Sequence, residues 1–345
     1  MTAGSALRLV RTAAQFTRLA PVGATVTLVA VGLAAGDDAA PPSTVVAVVA
    51  AALLLHIGVY VGNDIADVEI DRTDANRAHL PLAAGTVPMH WAATTVAASL
   101  LLGAVVLGVA TADAKVLGWY ALAVVGLLTY DVFGKRTPVP PVLDLAQGGG
   151  WASLVLVAAA SAGGVGAAAG FLACSAGLYV ALVNGVIASL RDLANDFRHG
   201  ARTTAVLFMT ARGPAPDRLP AAYQTYALVL HVLLGVSCVL GVASLPGGTG
   251  SRMSAAVALA AAGEFGCLVL LILGLRRYDG GWGGGLTGFA YVVLALWCLC
   301  TVVLARFGWV AFAVVGAVLL GPWLGSRVVR SLFRPAGRPG AIESG

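Results

Sequence analysis

Long apolar runs separated by short polar segments divide the chain. Ten of these runs approach the roughly 20 residues that a helix needs to cross the hydrocarbon core of a bilayer. They cover approximately residues 21–35, 43–62, 89–110, 115–130, 146–168, 170–190, 223–245, 253–275, 285–305 and 307–324. The pattern predicts an all-α, polytopic membrane helical bundle of nine or ten transmembrane helices, with nine if the last two runs form one re-entrant element. It also predicts three parts, namely an N-terminal cytoplasmic segment (1–20), a transmembrane domain (21–325) and a cytoplasmic C-terminal tail (326–345).

The composition supports a membrane environment. Hydrophobic residues make up 59% of the chain and charged residues only 11%, whereas a soluble domain carries about 25% charged residues. Such a chain cannot cover a soluble surface, so a single soluble globular fold is excluded. A nucleic-acid-binding domain is excluded as well, despite the net charge of +5, because such a domain gathers its basic residues on one wet face.

Basic residues indicate the orientation in the membrane. If the chain has ten spans and its N-terminus is inside, 18 of the 21 Lys and Arg residues fall on one side. The other side holds only Lys115, Arg252 and Arg306. Because cytoplasmic loops are enriched in Lys and Arg, the sequence predicts a multi-pass cell-membrane protein with both termini and its acidic loops in the cytoplasm.

The cysteines carry no recognisable metal-binding pattern. All five lie in apolar runs without metal-ligand spacing, and Cys298 and Cys300 point to different faces of a helix. We therefore expect them to be small core residues. Glu264 is the acidic residue that lies well inside a predicted span, and the sequence identifies no partner for it.

The acidic residues are concentrated at two predicted span ends. The first segment, residues 63–74, reads N-D-I-A-D-V-E-I-D-R-T-D. If the helix continues through it, Asn63, Asp67 and Asp71 share one stripe with Asp64 beside it, whereas Glu69 points away. Carboxylates spaced in this way repel one another, and the C-terminal end of the helix adds to the repulsion. Cations would relieve both effects.

The second acidic segment follows the sixth run, in S-L-R-D-L-A-N-D-F-R-H-G-A-R-T-T. Asp192 and Asp196 are again four residues apart, and Asn184 lies two turns earlier on the same face. Two carboxylate stripes that face each other across a bundle would suit hard cations such as Mg²⁺. The alternative is that these acids are solvated loop charges balanced by neighbouring arginines, but their repeated spacing in a chain so poor in charge favours a functional site.

These motifs resemble the UbiA superfamily of intramembrane prenyltransferases, which includes related membrane terpene cyclases. The run N-D-I-A-D-V-E-I-D matches the first signature of that family, and R-D-L-A-N-D-F-R-H-G-A-R-T-T is similar to the second. Between them, Y-D-V-F-G-K-R-T resembles the Tyr-to-Lys stretch that follows the fourth span. The resemblance implies a helical bundle around a central cavity capped by cytoplasmic loops, with two Mg²⁺ ions that hold an isoprenyl diphosphate.

The resemblance also implies roles for individual residues. The metal and diphosphate motifs would be formed by Asn63, Asp64, Asp67, Asp71, Asp192 and Asp196. The diphosphate would be gripped by Lys135, Arg136, Arg77 and Arg202. An allylic cation left after diphosphate departure would be stabilised by aromatic faces, for which the candidates are Tyr60, Tyr130, Trp151, Phe171 and Tyr179.

Two positions depart from the family pattern. Leu80 stands where an Arg commonly follows the first motif, with His79 and Arg77 nearby, and Asp144 stands roughly where an Asn enters the fifth span. Both lie near the expected substrate region, so they bear on the acceptor rather than on diphosphate chemistry.

Three functions are compatible with these residues. The first is transfer of the prenyl group to an aromatic or lipid-like acceptor, and the second is cyclisation of farnesyl or geranylgeranyl diphosphate without an acceptor. The third is ion-coupled transport, which places carboxylates near the bilayer centre. Because both acidic clusters lie at span ends, the sequence favours an enzyme, with prenyl transfer ahead of cyclisation.

Overall fold

The computed structural model describes residues 3–74, 77–246, 250–278 and 286–332, and every regular element in these ranges is helical. The helices are α1 (Ala3–Phe16), α2 (Val22–Ala35), α3 (Pro42–Ala66), α4 (Val68–Asp71), α5 (Met89–Thr111), α6 (Ala114–Phe133), α7 (Pro140–Ser161), α8 (Ala167–Leu182), α9 (Ser189–Arg198), α10 (Thr204–Met209), α11 (Ala221–Ala243), α12 (Ser251–Arg276), α13 (Leu286–Phe307) and α14 (Trp309–Leu332). A π-helical segment, Val183–Ala188, joins α8 to α9. The predicted all-α fold is confirmed.

Eight helices within the described ranges are long and apolar enough to cross a membrane. The eight are α3, α5, α6, α7, the continuous unit from α8 through α9, α11, α12 and α13. Two shorter apolar helices, Val22–Ala35 and Trp309–Pro322, correspond to the first and last predicted runs. The protein is therefore a multi-pass membrane protein, while the count of nine or ten spans and the three-part division of the chain stay predictions. Of the predicted tail, residues 333–345 lie outside the described residues.

Small residues bring the helices into close contact. A Cβ atom on Gly148 of α7 would lie 2.3 Å from the carbonyl oxygen of Gly177 on α8, and one on Gly32 of α2 would lie 2.3 Å from that of Val155 on α7. Helix association within lipid depends on such close backbone packing, because lipid tails are as apolar as the helix surfaces. The glycines thus fix α7 against both neighbours.

The first acidic segment is not one continuous helix, contrary to the sequence-based expectation. α3 ends at Ala66, Asp67 has φ −97° and ψ 1°, and the short α4 follows. The main-chain N–H of Asp67 still donates to Asn63, and that of Asp71 donates to Asp67. This turn buries Val68 and Asp71 and leaves Glu69 exposed, because Val68 joins a small apolar cluster with Val61, Leu82 and Ala92.

The second acidic segment follows the π-helical segment. The wider turn contains Asn184, whose carbonyl oxygen accepts a 2.7 Å hydrogen bond from the Ser189 hydroxyl. π-helical turns within α-helices occur frequently at functional sites. Here the turn precedes α9, which carries Asp192 and Asp196.

Candidate active site

A cavity of about 790 Å³ lies among α2, α3, α6, α7, the α8–α9 unit, α13 and α14. Ligand sites in proteins typically have volumes of about 300–1,000 Å³. Eleven of the sequence-predicted site residues line this cavity, namely Tyr60, Asn63, Asp67, Arg77, Tyr130, Lys135, Trp151, Tyr179, Asn184, Asp192 and Asp196. The cavity therefore brings residues from both acidic segments and the Tyr-to-Lys stretch to one place.

Asp64, Asp67 and Asp71 of the first acidic segment are each paired with a cation. Lys135 Nζ lies 2.8 Å from Asp67 Oδ2, and Arg77 Nη1 lies 3.2 Å from Asp71 Oδ1. Asp64 and Asp71 are buried and do not line the cavity. Their cationic partners, Arg18 and Arg77, do line the cavity.

The cation that pairs with Asp64 is Arg18, which comes from the segment between α1 and α2. Its Nε donates to Asp64 Oδ2 at 3.1 Å, and its Nη2 donates to Oδ1. Arg18 has φ +50°, and its carbonyl oxygen accepts a 3.1 Å hydrogen bond from His56 Nε2, whose Nδ1 accepts from Thr25 at 2.8 Å. The sequence-based reasoning missed Arg18, because nothing in the chain between 18 and 64 signals this contact.

Arg77 connects the two acidic segments. Besides Asp71, it lies 3.6 Å from Asp192 Oδ2, which also accepts a 2.7 Å contact from Arg191. Burial alone would lower the pKa of Arg77, but the carboxylates of Asp71, Asp192 and Asp67 outweigh burial, so its pKa lies above the ordinary value. Arg77 is therefore a fixed positive charge between two carboxylate groups, which suits it to hold an anion there.

Burial raises the pKa of the Asp71 carboxyl group above its ordinary value. Arg77 opposes this rise, whereas Asp67 adds to it. The ion pair with Arg77 therefore favours the charged form that a cation or a metal ion requires.

Asp131 adds a carboxylate that the sequence-based reasoning missed. It lines the cavity from the end of α6, one residue after Tyr130. Its Oδ2 is buried and has no hydrogen-bond partner in the described part of the chain. Its position inside the Y-D-V-F-G-K-R-T motif was the available signal. With Asp67, Asp192 and Asp196, it gives the cavity four carboxylates.

Aromatic and amide side chains line the remainder of the cavity. Tyr60 and Trp151 have ring centroids 6.3 Å apart, and Tyr179 donates from its hydroxyl to the Val292 carbonyl oxygen at 3.4 Å. All three line the cavity, as Tyr130 does, whereas Phe171 does not and its side chain is 38% exposed. Asn184 donates a hydrogen bond to Gln147, another lining residue that the sequence did not single out.

Arg136 and Arg202 lie outside the main cavity. They line a smaller neighbouring cavity of about 410 Å³ that shares Asp67, Asp131 and Lys135 with the larger one. Arg136 is exposed and donates to the Val132 carbonyl oxygen at 3.2 Å. The two arginines therefore lie close to Asp67, Asp131 and Lys135, although they do not line the larger cavity.

The two departures from the family pattern have structural explanations. Leu80 is buried, and the cation next to the carboxylates is Arg77. Asp144 is buried and accepts a hydrogen bond from Thr204. It does not line the main cavity. A Cβ atom on Gly185 of the π-helical segment would lie 2.6 Å from its Oδ2.

The lining has two chemically distinct parts. One end carries the four carboxylates together with the cations Arg18, Arg77, Lys135 and Arg191, whereas the rest is lined mainly by apolar, aromatic and amide side chains. Carboxylate oxygens suit Mg²⁺, which usually binds through one or two carboxylates and completes its shell with water and phosphate oxygens. Lys and Arg beside them suit a phosphate group. The cavity can thus hold an anionic head at one end and an apolar chain at the other.

Several solved structures share this fold. A UbiA homolog from Archaeoglobus fulgidus bound to GPP and Mg²⁺ matches with a TM-score of 0.65 at 14% identity, over 91% of this chain and 99% of that one. A digeranylgeranylglyceryl phosphate synthase matches with a TM-score of 0.65 at 17% identity, over 87% and 99%. The apo form of a UbiA homolog from Aeropyrum pernix K1 matches with a TM-score of 0.61 at 20% identity, over 89% and 98%.

Comparison with curated protein sequences gave no significant match. The family model of the UbiA prenyltransferase family, in contrast, matches residues 24–279. That range includes α3, α6 and α9, which carry or directly precede the acidic residues of the cavity, and it covers most of the chain. This protein belongs to the UbiA prenyltransferase family.

Proposed function

We propose that the protein is a Mg²⁺-dependent intramembrane prenyltransferase that ionises an isoprenyl diphosphate and transfers the prenyl group to an acceptor. The observation that carries this proposal is the cavity with a charged end and a mostly apolar remainder. Family membership supports an enzyme that uses prenyl diphosphates, and the Archaeoglobus homolog bound to GPP and Mg²⁺ supports the same substrate class.

The residues of the charged end fit the metal. Asp67, Asp131, Asp192 and Asp196 offer hard oxygen ligands, and one of these oxygens is buried without a partner. We propose that they hold two Mg²⁺ ions, with Asp64 and Asp71 behind them. When bound, Mg²⁺ supplies positive charge that stabilises a departing diphosphate.

The cations of the chain would bind the diphosphate directly. Lys135 and Arg77 lie at the carboxylates in ion pairs of 2.8 Å and 3.2 Å, so they are held in place before substrate arrives. Their charges would stabilise the negative charge that develops as the C–O bond breaks and its electron pair leaves with the diphosphate. Arg18 holds Asp64 in the same way from the N-terminal side.

The remaining cavity would orient the prenyl chain and the acceptor. The Asn184 and Gln147 amides form a polar pair in the cavity wall, which can bind a polar acceptor group. The acceptor nucleophile would form a bond to the allylic carbon and lose its proton. We propose that the charged end faces the cytoplasm, on the basis of the biased distribution of Lys and Arg.

Cyclisation is the second candidate, and the aromatic lining favours it. Tyr60, Trp151 and Tyr179 present rings to the cavity, and aromatic faces stabilise cations. In this reaction a double bond of the same chain would attack the allylic cation, and a proton would then be lost or water added. No separate acceptor would be needed.

One experiment distinguishes these functions. Purified protein is incubated with Mg²⁺ and geranyl, farnesyl or geranylgeranyl diphosphate, with and without candidate acceptors, while diphosphate release and products are measured. Acceptor-dependent release with a prenylated product supports transfer. A cyclic hydrocarbon or alcohol formed without any acceptor would establish cyclisation instead.

The site assignment is tested in the same assay. Asp67→Asn and Asp192→Asn should each abolish Mg²⁺-dependent diphosphate release. Glu69→Gln is the matched control, because Glu69 belongs to the same acidic segment but is exposed and pairs with Arg72. Retained release in both Asp variants would refute the assignment.

A further inference from the structure

A buried cluster of sulfur and carboxylate groups lies between α12 and α13. Glu264 and Cys267 come from α12, and Cys298 comes from the facing side of α13. Their potential ligand atoms all lie within 4.8 Å of one another. Gly263 permits this approach, since a Cβ atom there would lie 2.5 Å from the Cys298 sulfur.

Glu264 has no conventional partner for its charge. The residue is 6% exposed, and neither carboxylate oxygen has a hydrogen-bond partner in the described ranges. The thiols of Cys267 and Cys298 lie within 4.8 Å of a carboxylate oxygen of Glu264, whereas the nearby His231 donates to the main-chain oxygen of Glu264 at 3.1 Å. A carboxylate buried in apolar surroundings is costly unless a charge or a metal compensates it.

This cluster is separate from the proposed prenyl diphosphate site. Glu264 lies near the middle of α12, and Cys298 lies near the middle of α13. None of the cluster residues lines either cavity. The proposed chemistry at the charged end of the main cavity therefore leaves Glu264, Cys267 and Cys298 without a role.

We propose that Glu264, Cys267 and Cys298 bind a thiophilic divalent cation such as Zn²⁺. Structural zinc sites are tetrahedral, with Zn–S distances of about 2.3 Å and Zn–O distances of about 2.0 Å, which places ligand atoms about 3.5 Å apart. Separations within 4.8 Å require only a small contraction. Binding would displace thiol protons, and the charge of the ion would compensate the Glu264 carboxylate.

The bound ion would connect two helices. Glu264 and Cys267 lie on α12, and Cys298 lies on α13. α13 also contributes Val292 and Leu296 to the wall of the main cavity. The site would thus hold this wall of the cavity in position, which is a structural role rather than a catalytic one.

Metal content tests the proposal. We measure zinc per chain by elemental mass spectrometry after purification and after incubation with Zn²⁺ followed by gel filtration. The wild type should retain about one zinc per chain, and the variant with Cys267→Ser and Cys298→Ser should retain at least about tenfold less. Cys300→Ser is the matched control, because Cys300 is a buried cysteine of α13 outside the cluster.

A second measurement does not depend on the double variant being stable. Co²⁺ added to the wild type should produce thiolate-to-cobalt charge-transfer absorption, and the isosteric variant Glu264→Gln should weaken it. Zn²⁺ should also raise the melting temperature of the wild type and of the Cys300→Ser variant. No cobalt absorption in the wild type, or a disulfide between Cys267 and Cys298 in protein purified without reductant, would overturn the proposal.

Discussion

Replacing Lys135 by Met removes the cation nearest to Asp67. The Nζ atom lies 2.8 Å from Asp67 Oδ2, where an effective dielectric constant near 20 gives an attraction of about 6 kcal/mol before desolvation. If Lys135 also stabilises the departing diphosphate, its loss should lower kcat by about 10²–10³-fold, as observed when a preorganised donor is removed from an active site. The effect on KM should be smaller, because the charge on the leaving group develops in the transition state.

The assay is diphosphate release under saturating Mg²⁺, and Lys115→Met is the matched control. Lys115 lies at the opposite end of α6, is exposed and is remote from the cavity. The control should therefore change kcat by less than about threefold, since an exposed charge is screened by water and salt. Turnover of the Lys135→Met variant close to that of the Lys115→Met variant would refute the assignment of Lys135.

Stability must be separated from catalysis in this experiment. Without Lys135, the buried Asp67 carboxylate loses its partner, which can destabilise the fold by about 3 kcal/mol. Adding Asp67→Asn to Lys135→Met removes the unpaired charge, so the melting temperature should recover; because Asp67→Asn by itself is expected to abolish release, this double variant reports on stability alone. Catalysis is measured on Lys135→Met at a temperature well below its melting temperature, and a kcat there equal to that of the wild type would show that the role of Lys135 is structural.

Three further predictions concern pH, packing and the acceptor. Arg77→Gln removes the charge that opposes the raised pKa of Asp71, so the carboxylate should protonate at higher pH. The acidic limb of the profile of kcat/KM against pH should therefore shift to higher pH, and an unchanged limb would contradict this. Gly148→Ala should lower the free energy of unfolding by about 1–3 kcal/mol through overpacking, measured by thermal denaturation against Gly149→Ala, since a Cβ on Gly149 would meet nothing within 4 Å. Asn184→Ala should raise KM for the acceptor more than for the prenyl diphosphate in steady-state kinetics, and equal increases would argue against its role in acceptor binding.

The positions of the acidic residues were predictable because a membrane chain carries few charges. Asp67 and Asp192 were identifiable from spacing alone, since 11% charged residues make any cluster conspicuous, and both line the cavity. Arg77 was named as a diphosphate ligand, but its bridge from Asp71 to Asp192 was not foreseeable. Contacts between segments more than 100 residues apart depend on helix packing, which apolar periodicity does not encode.

Other residues were misplaced or missed for the same reason. Phe171 was a candidate for the cavity, but its side chain is 38% exposed and does not line it. In lipid, both the outer surface and the interior of a bundle are apolar, so the composition of a span does not tell which face is inward. Arg18 carries no spacing signal that would separate it from ordinary loop charges, and the only signal for Asp131 was its position inside the Y-D-V-F-G-K-R-T motif.

The cysteines show the limit of local patterns most directly. Their spacing along the chain indicates small core residues, which holds for the four buried cysteines but is wrong for Cys174, which is exposed. Cys267 and Cys298 nevertheless meet Glu264 within 4.8 Å, because α12 and α13 pack with these positions face to face. Metal-ligand spacing patterns detect only sites whose ligands lie close together along the chain.

The sequence by itself determined the membrane environment, the helical class, the family and the two acidic motifs, because these depend on composition and on residues close together along the chain. The tertiary structure decided which cations pair with which carboxylates, which aromatic rings reach the cavity and which buried thiols surround Glu264. The physical reason is that ion pairing and ligand sets depend on distances of a few ångströms between helices. Those distances are set by the packing of small residues such as Gly148 against Gly177, not by hydrophobic periodicity.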